Sequence, residues 1–328
     1  MIKTNRKVTK IYIIVLLGLM AVFLLSLMAG KYPLELSKVL SGDEEHLRVF
    51  LTLRFPRALM GITGGLGLGV AGMIYQTVFH NPLASPDIIG VSSGASAGAA
   101  FAILFLVNTP VYVTTFAFAG SLFAILLSLG IASMVRGNGN ISIVLSGLAV
   151  HSLAQTVLMV LKTAADPEKE LASIEYWIMG SLNAITLEKI PAALCITIVC
   201  MVALVLLYRQ VLLLSVDEEE AKLLGLSVQK MRLVILILAT LMVAAIVSVT
   251  GVITFVGLLA PHIARLLTGD NQLRTLCLSG MLGGILLCLA DIFARSVTAG
   301  ELPVSVFTSL IGAPFLVYLL LKRRVNHV

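Results

Sequence analysis

Runs of about 20 apolar residues recur along the chain, separated by short polar turns. At 1.5 Å rise per residue, about 20 helical residues match a hydrocarbon core of roughly 30 Å. The pattern predicts ten membrane-spanning helices, over 11–29, 56–79, 88–107, 112–135, 141–162, 190–208, 231–250, 252–268, 276–296 and 304–321. Only Thr250-Gly251 separates the seventh from the eighth. A broken or re-entrant segment is the alternative there, provided protein rather than lipid surrounds it. The fold class is an all-α polytopic membrane protein, with residues 1–328 forming one transmembrane domain.

Composition agrees. A 59% hydrophobic content, 12% charged residues and a mean hydropathy of +1.03 exclude an ordinary soluble domain. An even number of spans puts both termini on one side. Both tails are basic (Lys3, Arg6, Lys7 and Lys10; Lys322, Arg323 and Arg324), which assigns that side to the cytoplasm. The pI of about 9.2 therefore reflects membrane orientation, not a nucleic-acid partner. The first span is read as an uncleaved helix. Its apolar stretch exceeds a signal-peptide h-region, and Leu27-Met28-Ala29 is a poor cleavage site.

Three arginines break the charge rule. Arg54, Arg57 and Arg295 fall on the outer side, where Lys and Arg are normally scarce. An acidic protein docking there is the expected reason. In the second span Gly61, Gly65 and Gly69 recur every four residues, so one helix face allows close backbone approach and could widen a translocation path. Residues 67–72 also satisfy G-x-G-x-x-G, but inside an apolar span without a preceding strand the match is false.

The chain has no G-x-x-x-x-G-K-S/T, so it is not itself a P-loop ATPase, and no catalytic residues are expected. Asp291 is the only carboxylate well inside a span, and Arg295 at i+4 can pair with it. A proton relay is thus thinly supported, which disfavours a secondary transporter. Cys195, Cys200, Cys277 and Cys288 lie in apolar spans without metal-ligand spacing and read as packing residues. His262 lacks a second ligand at suitable spacing and reads as a packed histidine; no metal site is expected.

Two cytoplasmic segments stand out. In loop 209–230, Ser215-Val216-Asp217-Glu218 forms a capping box, the acidic run suits a helix N-terminus, and Gly225 is a natural stop. Leu226-Ser227-Val228 is expected to begin a second short helix. Ala221, Leu223 and Leu224 give the first an apolar side, and its acidity favours a protein partner over anionic lipid. The other segment is Asn81-Pro82-Leu83-Ala84-Ser85-Pro86, a stiff turn that is either a connector or a gate.

Taken together, the motifs resemble the FecCD-type permeases of type II ABC importers for ferric siderophores, haem and cobalamin. The resemblance rests on Arg54-Phe55-Pro56-Arg57 opening a Gly-rich span, Asn81-Pro82-Leu83-Ala84 with Pro86 and Gly90, and Ala221 with Leu224-Gly225. It continues through Phe255-Val256-Gly257-Leu258 with Pro261-His262 and Arg265, Ala290-Asp291 with Ala294-Arg295, and Glu301-Leu302-Pro303 with Thr308, Gly312 and Pro314. It implies a ten-helix subunit of the cytoplasmic membrane that pairs with a second permease, identical or different. Two ATPase subunits would bind ATP and Mg and dock through Asp217, Glu218, Ala221, Leu224, Gly225 and Leu226. An extracytoplasmic binding protein would meet Arg54, Arg57 and Arg295. Asn81 and Leu83, with Asn140 opposite, match the family's cytoplasmic gate, although position 140 matches poorly. Ferric siderophore is the expected cargo, with haem and cobalamin as alternatives.

Overall fold

The computed structural model describes residues 2–325, apart from 107–108, 135–138, 184, 217, 226, 270–272 and 299. Each of the ten expected spans contains a helix. Below, "outer" denotes the end of the bundle opposite both helix-bundle termini. Among the described residues, six helices are long and apolar enough to cross a membrane, and four further apolar helices are shorter.

Helix α1 (Ile2–Met28) leads to two short outer helices, α2 (Leu36–Leu40) and α3 (Glu44–Val49). The Asp43 carboxylate caps α3 by accepting from the His46 N–H at 3.1 Å. A π-turn over Phe50–Arg54 runs directly from α3 into α4 (Phe55–Val78). Its cause is Pro56, which has no N–H to offer the carbonyl one turn back. The ladder widens, and the Phe55 N–H reaches the Phe50 carbonyl instead.

Next come α5 (Val91–Phe105), α6 (Pro110–Met134) and α7 (Gly139–Ala164). The third expected span starts later than its hydropathy suggests. Pro86–Ile89 is a 3₁₀ turn, and Gly90 at φ 84° redirects the chain before α5 begins. Helix α8 (Glu170–Ile178) is an outer helix not expected from the sequence. It precedes α9 (Ile190–Leu206), and the short inner helices α10 (Tyr208–Leu213) and α11 (Glu218–Leu223) follow.

The expected second short helix after Gly225 does not exist. Val228 instead begins α12 (Val228–Thr250), because the turn at Gly225 (φ 83°) already completes the reversal and Val228 can be buried at once. The eighth expected span is interrupted at its start. Residues 252–254 are not helical, Phe255 takes a left-handed turn at φ 65°, and helix α13 (Val256–Thr268) begins only after it. This break is satisfied by protein: Ser305 Oγ donates to the Val252 carbonyl at 2.8 Å, and the Thr254 and Ser309 hydroxyls lie 3.1 Å apart. Helices α14 (Leu273–Ser296) and α15 (Val304–Val325) complete the chain.

Helix α4 is the axis of the bundle. It packs most extensively on α14, then on α13 and α12, while α5, α6 and α7 form a second group joined through α12. The α4–α14 approach is made by glycine. A Cβ on Gly65 would meet the Gly283 and Gly284 backbone, and one on Gly69 would meet the Ser279 carbonyl. Ser279 Oγ also donates to the Gly69 carbonyl at 2.7 Å. The space opposite Gly61 is taken by the Cys288 sulfur, which would lie 2.8 Å from an added Cβ. The glycine face is therefore a packing seam against α14.

Candidate functional site

The three outer arginines converge. Arg57, in the first turn of α4, places Nε and Nη2 each 2.8 Å from Asp291 Oδ1 on α14, and Nη1 2.9 Å from Glu301 Oε2 in the loop before α15. Arg295 Nη2 lies 3.2 Å from Asp291 Oδ2, the i,i+4 pair expected from the sequence. It also donates to the Ser26 hydroxyl at 2.7 Å and the Ser26 carbonyl at 2.9 Å, while Nη1 reaches the Ala29 carbonyl at 3.1 Å. Arg54 Nη2 donates to the Tyr32 carbonyl at 3.0 Å.

The guanidiniums are turned inward, with Arg54 and Arg57 buried and Arg295 only 2% exposed. Burying a cation is costly unless it is paired and hydrogen-bonded, so each takes a carboxylate or a backbone carbonyl. Three arginines meet two carboxylates here. The sequence reading missed three contributors: Ser26, Glu301 and Gly30. Glu301 was visible in Glu301-Leu302-Pro303 but had no assigned role. A Cβ at Gly30 would collide with the Arg54 guanidinium, so this glycine leaves the room that Arg54 occupies.

At the inner end, Asn81 builds its turn from its own side chain. Its Oδ1 accepts from the Leu83 N–H at 3.0 Å and its carbonyl from Ala84 N–H at 3.0 Å. Asn81 and Leu83 are both exposed. Asn140 lies in the first turn of α7, and its side chain falls outside the described residues. Behind the turn, Arg265 on α13 donates to Gln76 Oε1, and Gln76 Nε2 donates to the Leu258 carbonyl at 3.2 Å. His262 packs edge-on against Phe315 at 5.7 Å.

Helix α11 is the second inner feature. Ala221 is buried, whereas Leu223 and Leu224 are 88% and 65% exposed. Glu218 takes Lys222 Nζ at 3.0 Å and Arg232 Nη2 of α12 at 3.5 Å. The hydrogen bond from Lys222 holds the Glu218 carboxyl below its ordinary value of 4.5. Asp217 and Leu226 lie outside the described residues. Among the described residues, no group of three His, Cys, Asp or Glu side chains could hold a metal. Cys200 and Cys288 are buried, Cys277 is half-buried and Cys195 is exposed.

The family model of the FecCD transport family matches residues 18–322. The chain belongs to that family. A cobalamin import system permease protein of Halobacterium salinarum is 38% identical over 275 residues, covering 84% of this chain and 74% of its own length. An Fe(3+)-citrate import system permease protein of Bacillus subtilis is 34% identical, covering 87% and 85%. The solved structure of a metal-chelate type ABC transporter in an inward-facing conformation is 31% identical, with a TM-score of 0.88 over 96% of this chain and 99% of its own. The FecCD-family chain is thus a multi-pass membrane protein and an ABC importer permease.

Proposed function

We propose that this permease carries a ferric siderophore or a similar ferric chelate across the cytoplasmic membrane, driven by ATP hydrolysed in a partner subunit. The observation that carries the reading is the α11 tip. A short acidic helix at the inner end, clamped to α12 through Glu218, offers Leu223 and Leu224, which stand largely exposed among the described residues. That is a docking surface for two cytoplasmic ATPase subunits, one on each permease of a dimer. Asp291 supports the same reading: it is the only buried acidic side chain among the described residues, and it is paired with two arginines. A locked carboxylate is unsuited to carrying protons.

The cargo class is supported by an open groove of about 640 Å³ beside α15, lined by Met179, Pro303, Val306 and Leu310 among others and by no charged residue. Its size lies in the range of small-molecule sites, and its neutral wall lets a bulky chelate pass without being held. A second permease, identical or different, would close this path. At the outer end, three arginines against two carboxylates leave an excess positive charge for glutamates of an extracytoplasmic binding protein. Both termini then lie in the cytoplasm, and the turn at Asn81 and Leu83 is the inner gate.

Cobalamin is the second reading, favoured by the 38% identical relative. The test is uptake of radioactive iron as hydroxamate and catecholate siderophores by iron-starved cells with and without the gene, with labelled cobalamin and haem alongside. Selective loss of one siderophore, restored by the gene, is the expected result. Loss of cobalamin uptake alone would replace the cargo, and vanadate-insensitive uptake would overturn the ATP-driven mechanism.

A further inference from the structure

The grip between α11 and the rest of the bundle combines the buried Ala221 with one buried cation. Arg232 sits one turn into α12, 5% exposed, with Glu218 its one ion-pair partner among the described residues. Among the described residues its Nε finds no hydrogen-bond partner. Glu218 is shared: one oxygen faces Lys222 on its own helix, the other faces Arg232. A buried guanidinium stripped of its carboxylate is strongly penalised. If α11 shifts, Arg232 and the helix that carries it are therefore drawn along.

Helix α12 is suited to pass that shift on. It has no internal proline or glycine over Val228–Thr250. Its outer end is tied into a backbone knot. The Thr250 carbonyl accepts from Ser181 N–H at 2.7 Å, and the Gly180 carbonyl accepts from Val304 N–H at 3.0 Å. Ser305 Oγ closes the knot on the Val252 carbonyl. Val304 starts α15, three residues after the Glu301 that holds Arg57.

We propose that Arg232 is the positioning residue that couples α11 to the outer mouth, by drawing α12 and, through residues 180–181, the start of α15. The proposal rests on the ATPase-docking reading of α11 and adds the route from it. Arg232 touches no cargo; it acts through Glu218 and α12.

The test uses the complex purified from its native host through a tag on this chain, reconstituted with its co-purifying subunits and supplied with radioactive ferric hydroxamate. Uptake per ATP hydrolysed is compared for the wild type, Arg232→Met, Arg232→Lys and Glu218→Gln. The expected result is a drop of about 5-fold or more in that ratio for Arg232→Met, with ATP hydrolysis and subunit co-purification retained, and a lowered ratio for Glu218→Gln. Arg232→Lys, which keeps the charge, recovers most of it. Should Arg232→Met fail to fold, Arg232→Gln, which keeps the side chain polar without its charge, is read in its place. An unchanged ratio in the folded variants, with the ATPase present, overturns the coupling route. Absence of any co-purifying ATPase in the wild type overturns the docking reading on which it rests.

Discussion

Asp291 and Arg57, 234 positions apart in sequence, meet at 2.8 Å where α14 and α4 reach the outer end of the bundle. Asp291 also receives Arg295, so a single carboxylate neutralises two buried cations. Its removal should be severe. Asp291→Asn leaves Arg295 without a negative partner and Arg57 with Glu301 alone, and should cost about 3–5 kcal/mol. Thermal melting of the detergent-solubilised permease, followed by fluorescence-detected gel filtration, checks this.

Glu301 should behave differently. It is the partly exposed member of the network, so Glu301→Gln should cost only about 1 kcal/mol or less. It also releases Arg57 toward the outside. If the arginines receive acidic residues of a binding protein, Glu301→Gln tightens that docking and steepens its salt dependence. Arg54→Glu with Arg57→Glu abolishes it. Equilibrium binding of the host's binding protein to permease vesicles reads both.

The glycine seam predicts a graded series. Gly65→Ala should destabilise by about 3 kcal/mol or more, because the new methyl group meets the backbone of α14. At Gly61→Ala the one close contact is with the Cys288 sulfur at 2.8 Å, while Leu182 lies at an ordinary 3.6 Å. Adding Cys288→Ala should therefore restore much of its loss and none of the loss at Gly65. The same melting assay separates the two.

The α11 tip predicts a loss of assembly without a loss of folding. Leu223→Asp with Leu224→Asp alters two exposed side chains, so the permease should melt as the wild type does. The ATPase should no longer co-purify with it.

Acid should loosen α11 from α12. The Glu218 carboxyl titrates below its ordinary value of 4.5, so its contribution is full above that value and is lost as pH falls through the lowered one. Limited proteolysis at residues 209–230 should be flat from neutrality to about pH 5 and rise at lower pH. Glu218→Gln should be cut readily throughout.

The spans were legible because the bilayer sets their length and apolarity. Helix α8 was not: Glu170 and Glu175 give it the polarity of a loop, and Lys162, reaching Glu175 at 2.9 Å, ties it to α7. The broken start of α13 was foreshadowed only by Gly251, since Val252 and Ile253 are as apolar as a span. For the outer arginines, sequence exposed the anomaly of charge but not the inward turn of the side chains. That orientation depends on Ser26, Ala29, Tyr32 and Glu301, which no local pattern links to them.

The π-turn at Phe50–Arg54 fixes a rotational phase. An ordinary α-helix advances about 100° per residue, so deleting one residue from that turn would swing everything before it by about that angle around the α4 axis. Arg57 would stay aligned with Asp291, but α3 and the Tyr32 loop would be carried away from Arg54. One extra residue per turn thus works as an indexing notch between the outer surface of the permease and its glycine-lined axis. Related chains that lack the notch must hold the first arginine by some other means.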